Sequence, residues 1–293
     1  MSTLVENVAK VKSAHAALSA SIEAKGVSVP AGTKLTGMPA LVDQIETGGS
    51  VEPTNDRAVF AYDTATSLVV PNTLVVVDMA SATNLGRCFA KCTALTSLTL
   101  PAGFGQNATD LGGCFSSCTA LTSLTLPDGF GQNATYLGSC FASRRALTSL
   151  TLPAGFGQNA TDFNRCFEQC TFLTSLTFPD GFGQNATSLY WLLYNCYNLK
   201  SLHLPTGFGQ ASTDNLQMFY YCEALTTITG NPNFKENIDF RESNNLTHDS
   251  IMVVINGLQT VTETKTLTLG STNLAKLTDA EKKIATDKGW TLA

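Results

Sequence analysis

The chain has 293 residues and a formal net charge of −5, and charged residues make up 14% of it, against about 25% in an average soluble protein. The acidic balance, with the lysines mostly in the first 35 and last 60 positions, excludes a nucleic-acid surface, which needs clustered Lys and Arg. No apolar run reaches the about 18 residues of a membrane span, and nine cysteines make a poor disulfide framework.

The first element is "TLVENVAKVKSAHAALSASIEAKG". Leu4, Val8, Val11, His15, Leu18 and Ile22 alternate steps of four and three, a heptad seam that at about three heptads is marginal alone. Residues 1–46 are expected to form a helical attachment or oligomerisation segment. Two readings stay open: the helix packs on "GVSVPAGTKLTGMPALVDQI", or it is a dimeric or trimeric stalk with His15 in the seam. The opening "VENVAKVKSAHAALSASIEAKG" resembles the N-termini of phage tail-associated proteins, which implies a place in a virion. It holds no uninterrupted apolar run of signal-peptide type, so the expectation is synthesis in the cytosol without a secretion signal. "TGGSVEPTND" then reads as a flexible linker, residues 47–56.

A repeat follows. Pro101, Pro127, Pro153, Pro179 and Pro205 stand 26 residues apart. A degenerate unit ends at Pro71 in "TSLVVP", and a fading one follows near Leu225 in "LTTITGNP". This period with Leu-x-x-Leu-x-Leu means stacked strand-and-turn coils. In one unit, Leu124 and Leu126 alternate with Ser123 and Thr125, the mark of a strand with one buried face. Pro127 lacks a donor and stops the strand. Gly129 and Gly131 let the chain turn, Phe130 returns to the core, and Leu137, Cys140 and Phe141 give a second apolar segment.

All nine cysteines fall in two columns of this repeat. One is Cys88, Cys114, Cys140 and Cys166, continued by Leu192 and Met218; the other is Cys92, Cys118, Cys170, Cys196 and Cys222, interrupted by Arg144. Positions that accept Cys, Leu and Met are buried and apolar. A metal site from the Cys-x3-Cys pairs would want an accompanying His, and none is there; no cofactor or metal is expected.

The words "CFSSCTALTSLTLP" resemble the BspA-type leucine-rich repeat of bacterial surface proteins, with Phe115, Cys118, Leu121, Leu124, Leu126 and Pro127 in the family's places. The resemblance covers about residues 66 to 232. The unit departs from the pattern in Cys114, where the family has Ala, and in extra length at the Gly-Phe-Gly-Gln loop. It implies an α/β fold: a right-handed leucine-rich-repeat solenoid of 26-residue repeats over residues 57–235, with an N-terminal helical segment and a small α/β C-terminal cap. A phosphate loop is needed once per ligand, so five copies of Gly-Phe-Gly in register read as a structural turn. The Asn-Ala-Thr triplets at Asn107, Asn133, Asn159 and Asn185 read as part of that turn, their asparagines stacked as a ladder.

Residues 236–293 look like the cap. "NLTHDSIMVVINGL" predicts a helix from about Thr247, "KTLTLG" a strand, and "LTDAEKKIATDKGW" a helix with a Thr278–Glu281 capping box that ends near Gly289. This closing wording resembles that of repeat proteins encoded in phages, prophages and gut-type bacteria.

Within this one chain the strand and loop barely change, whereas the stretch between loop and next strand does: "DLGGCFSSCTA", "YLGSCFASRRA", "DFNRCFEQCTF", "SLYWLLYNCYN", "DNLQMFYYCEA". Its outward positions turn aromatic toward the C-terminal rungs, at Tyr190, Trp191, Tyr194, Tyr197, Tyr220 and Tyr221, with Tyr136, Arg144 and Arg145 upstream. Tyr, Trp and Arg dominate binding surfaces, so these nine residues are the candidate ligand site; the bland alternative is that some rings fill gaps in the core. The Ser/Thr ladder of the strand face, broken by Ser201 and His203, is a solvated face, a site for an extended ligand, or an ice-binding array. His15, His203 and His248 lie in three segments and form no catalytic arrangement. The expected function is non-enzymatic recognition: a phage tail-associated receptor-binding protein that meets a bacterial cell-surface protein or glycan, or alternatively a BspA-type surface adhesin or protein-interaction module.

Overall fold

The computed structural model describes residues 50–54, 57–61, 67–69 and 82–293. The heptad seam of residues 1–46, His15 included, lies outside the described residues. The stretch read as a flexible linker is corrected in part: β1 (Ser50–Thr54) pairs antiparallel with β2 (Arg57–Ala61), Thr54 opposite Arg57. Two segments separated by an Asn-Asp pair carry a hairpin signal, which the linker reading overlooked.

The repeat forms coils stacked rung on rung. β3 (Ser67–Val69) pairs parallel with β4 (Ser97–Thr99), and β5 (Ser175–Thr177), β6 (Ser201–Leu204) and β7 (Thr227–Gly230) form a second parallel sheet in that order. β4, β5, β6 and β7 each bury the Leu or Ile of their second position and turn the flanking Ser or Thr outward, as the alternation predicts. On the two rungs between, the pairing thins to one bridge, Thr125 to Thr151.

Past the strand, Gly-Phe-Gly makes the turn. Phe104, Phe130, Phe156, Phe182 and Phe208 are fully buried and stack rung to rung at 6.1–6.3 Å. The Phe130, Phe156, Phe182 and Phe208 rings each lie on the second glycine of the rung before: a Cβ on Gly131 would sit 2.6 Å from the Phe156 ring, and its φ of 68° also favours glycine. The five loops are therefore joints between rungs, with a side chain packed into each. Asn133, Asn159 and Asn185 complete them, each donating its side-chain amide to the carbonyl of Gln106, Gln132 or Gln158 on the preceding rung at 2.8–2.9 Å.

A second phenylalanine column, Phe89, Phe115, Phe141 and Phe167, stacks at 5.2–5.6 Å. Both cysteine columns are buried and their thiols free. Cys118, Cys170, Cys196 and Cys222 each donate to a carbonyl 29 residues earlier, at 3.0–3.3 Å. Complete burial of a Phe or Leu contributes about 1.5–3 kcal/mol, so the repeat's long apolar columns hold the stack together.

The cap follows β7. β8 (Ile238–Asp239), β9 (Lys265–Thr268) and β10 (Trp290–Leu292) form a parallel sheet in the order β10–β9–β8. Helix α1 (His248–Asn256) starts at the Thr247 N-cap and closes the exposed edge of β7: Ser250 Oγ accepts from Ile228 N at 2.9 Å. Helices α2 (Gly270–Leu274) and α3 (Asp279–Asp287) complete it, α3 with the predicted capping box. Among the described residues, no helix is long and apolar enough to cross a membrane.

Candidate functional site

The variable stretch is not a helix or a strand. It is a run of tandem turns welded to the next rung by four backbone hydrogen bonds. Leu111, Gly113, Phe115 and Ser117 donate to the carbonyls of Tyr136, Gly138, Cys140 and Ala142 at 2.8–3.0 Å, and Leu189, Trp191, Leu193 and Asn195 repeat the pattern at 2.8–3.1 Å. Two positions per rung take positive φ, at 53–65° and mostly without glycine; Arg87, Ser139, Arg165, Trp191 and Gln217 form one such column. Left-handed backbone costs a non-glycine residue about 1–2 kcal/mol, so the ladder fixes this geometry against local preference. Because the ladder uses the backbone alone, the outward side chains are left free to vary.

Six of the nine candidates come together. Trp191 stacks with Tyr190 at 5.0 Å and with Tyr194 at 4.3 Å, both 12° from parallel. Tyr194 reaches the next rung at Tyr220, 6.0 Å and 15° away; Tyr221 touches Tyr220 at 4.3 Å, and Tyr197 lies 5.9 Å from Tyr221. Tyr197 is 39% exposed and the other five rings are half-buried. They are neither core filling nor free side chains. Burial and nearby Glu223 push the Tyr197 hydroxyl pKa up, and the Tyr220 hydroxyl is raised by its hydrogen bond with Tyr221.

Two candidates stand apart. Tyr136 is exposed and lies over Gly112 and Gly138, where its ring takes the space a side chain would need; burial of part of the ring, then Asp162 and Asp110, raise its hydroxyl pKa. Arg145 is exposed and donates to Gln169 Oε1 at 3.1 Å.

Arg144 is a correction. It is fully buried, and its Nε, Nη1 and Nη2 have no hydrogen-bond partner. Its guanidinium lies 5.8 Å over the Phe115 ring, among Cys118, Cys170, Cys140 and Cys114, and burial lowers its pKa. The reason is register: Arg144 occupies the inward column of Cys118 and Cys170, and the ladder sets side-chain direction whatever the residue.

Three contributors were missed. Arg165 lies 4.4 Å over the Trp191 ring and 5.8 Å over Tyr190, with Glu168 at 3.9 Å. Gln217 accepts the Trp191 indole N–H at 2.7 Å. Leu216, whose carbonyl accepts from Trp191 N at 3.1 Å, is 61% exposed. Reading down the columns would have found them: Arg165, Trp191 and Gln217 share one, and Leu216 follows Tyr190 in another.

The strand face is the other feature. Ser149, Thr151, Ser175, Thr177, Asp180 and His203 line an open cavity of about 650 Å³, and His203 Nδ1 bonds Thr229 Oγ1 at 3.0 Å.

With this geometry in place, comparison with known proteins adds the following. The BspA type leucine-rich repeat region matches in six copies, over residues 56–182, 83–210 and 139–256. A leucine-rich cell surface protein from Faecalibacterium prausnitzii A2-165 is similar at 15% identity over 57% of this chain, with a TM-score of 0.29; this chain spans 60% of that protein's length. A leucine-rich repeat protein from Bacteroides ovatus ATCC 8483 is similar at 14% identity, over 76% of this chain and 81% of that one, with a TM-score of 0.21. No curated protein matches the chain.

Proposed function

The chain belongs to the BspA-type leucine-rich repeat family, and from that premise we propose a non-enzymatic surface module for adhesion or protein–protein interaction, a right-handed solenoid whose aromatic flank meets its partner. The observation that carries the reading is the continuous row from Tyr190 to Tyr221, six rings on two adjacent rungs, at positions the backbone ladder leaves free. A contiguous, partly exposed aromatic patch of this kind fits an interaction site, and ordered rings lose little entropy on binding. The partner is a protein or glycan of a bacterial cell surface. Self-association through residues 1–46 would multiply weak contacts.

The test is binding of labelled protein to intact bacteria, beside a variant with Tyr190, Trp191 and Tyr194 changed to Ser. Wild type is expected to bind and the folded variant to lose about tenfold or more. Equal binding by both would move the site off this flank.

A second reading, a receptor-binding component of a phage tail, is favoured by the wording of the two end segments. It expects the chain in purified virions, and its absence from them by mass spectrometry would end it.

A further inference from the structure

We propose that the aromatic row recognises a polypeptide that presents lysine or arginine beside apolar side chains. This rests on the flank being the recognition surface and deepens that reading.

The first argument is which parts of the rings remain. A sugar binds an aromatic platform by laying its C–H face on an open ring face. Here an indole with two faces has three partners, Arg165, Tyr190 and Tyr194 at 4.3–5.0 Å for the closest approaches. Tyr194 is in turn near-parallel to both Trp191 and Tyr220. At the centre of the row, Trp191 and Tyr194 therefore have neighbours stacked on their faces, and Gln217 holds the indole N–H. Such a surface suits the mixed apolar and hydrogen-bonding contour of a peptide.

Charge gives the second argument. Asp214 and Glu223 are exposed on the rung of Tyr220 and Tyr221, Glu223 one period after Tyr197 in the same column. Among the described residues neither carboxylate has an ion-pair partner. The two arginines nearby are engaged, Arg165 with Glu168 and Trp191, Arg241 with Asp239 at 2.8 Å. The rim of the row is therefore left acidic. Exposed Leu216, two residues after Asp214, supplies apolar surface along which the methylene stem of a lysine can lie while its ammonium meets a carboxylate.

Complementary charge across an interface sets partner choice and salt dependence. The experiment uses the full chain and a fluorescent short peptide alternating lysine and leucine, with the same peptide carrying glutamate for lysine as control. Cells pretreated with trypsin or with periodate are tested in parallel. The lysine peptide is expected to bind, and binding should weaken about tenfold both in Asp214→Lys/Glu223→Lys and in the Tyr190, Trp191 and Tyr194 to Ser variant. Trypsin, not periodate, should abolish cell binding. The inference is overturned if the lysine peptide fails to bind, if it binds wild type and both variants alike, or if cell binding is lost to periodate and survives trypsin. Cell binding that needs the rings but ignores the charge reversal would sink the cationic partner alone and leave the recognition reading standing.

Discussion

The loop side and the flank of each rung both join it to its neighbours, but by different chemistry. On the loop side, side chains dominate the joint beside a single long amide bond such as Gly157 N to Gly131 O at 3.3 Å: Phe156 sits on Gly131, Phe182 on Gly157, and Asn159 reaches Gln132. Any other residue at these glycines would meet a ring. On the flank the joint is four amide hydrogen bonds per rung, made identically where the outward residues are Gly and Ser and where they are Tyr and Trp. A repeat is held to one wording where side chains make the joint, and drifts where the backbone makes it. The same rung can therefore be rigid on one side and open to new ligand chemistry on the other.

The largest expected effect probes the interior these two sides share. Arg144 stands where Cys118 and Cys170 donate to carbonyls at 3.0–3.3 Å, and its own buried nitrogens have no partner. An uncompensated buried charge costs about 3–5 kcal/mol. Arg144→Cys should raise stability by about that amount, read as a higher denaturant midpoint with unchanged slope. No gain would mean the guanidinium has a compensating partner in solution.

Next comes the loop joint. Gly131→Ala adds a Cβ 2.6 Å from the Phe156 ring at positive φ. Overpacking and left-handed backbone together predict a loss of about 3 kcal/mol, seen as a fall in thermal midpoint. A neutral result would break the contrast between the two sides. Asn159→Ala, which removes only the bond to Gln132, should cost about 1 kcal/mol.

These particulars also show what was legible. The strand, the loop and the Cys columns could be read because their buried side chains repeat as letters every 26 residues. The flank's tandem turns could not, since a ladder of amides leaves no letter, and positive φ at Arg165, Trp191 and Tyr221 lacks the glycine that usually announces it. Arg144 was misread for the opposite reason: a charged letter suggests solvent, while register put it inside. Tyr190 and Trp191 were found along the rung, whereas Arg165 and Gln217 needed the column. The hairpin partner Ser50–Thr54 was hidden in a Gly- and Pro-bearing stretch that reads as linker.

The smallest effect is the sharpest test of the contrast. Ser116 and Ser117 occupy the flank positions that Glu168 and Gln169 hold two rungs later. Ser117 and Gln169 share a φ of 57–60°, and the amides of both rungs make the same bonds, Ser117 to Ala142 at 2.8 Å and Gln169 to Tyr194 at 2.8 Å. Copying Glu and Gln onto the earlier rung asks the backbone for nothing new, so Ser116→Glu/Ser117→Gln should change stability by no more than about 0.5 kcal/mol. A single added methyl at Gly131 would then do several times the damage of two larger side chains on the flank. If the double substitution instead costs as much as Gly131→Ala, the flank's side chains are part of its joint, and its aromatic row would have to be explained by stacking stability before binding.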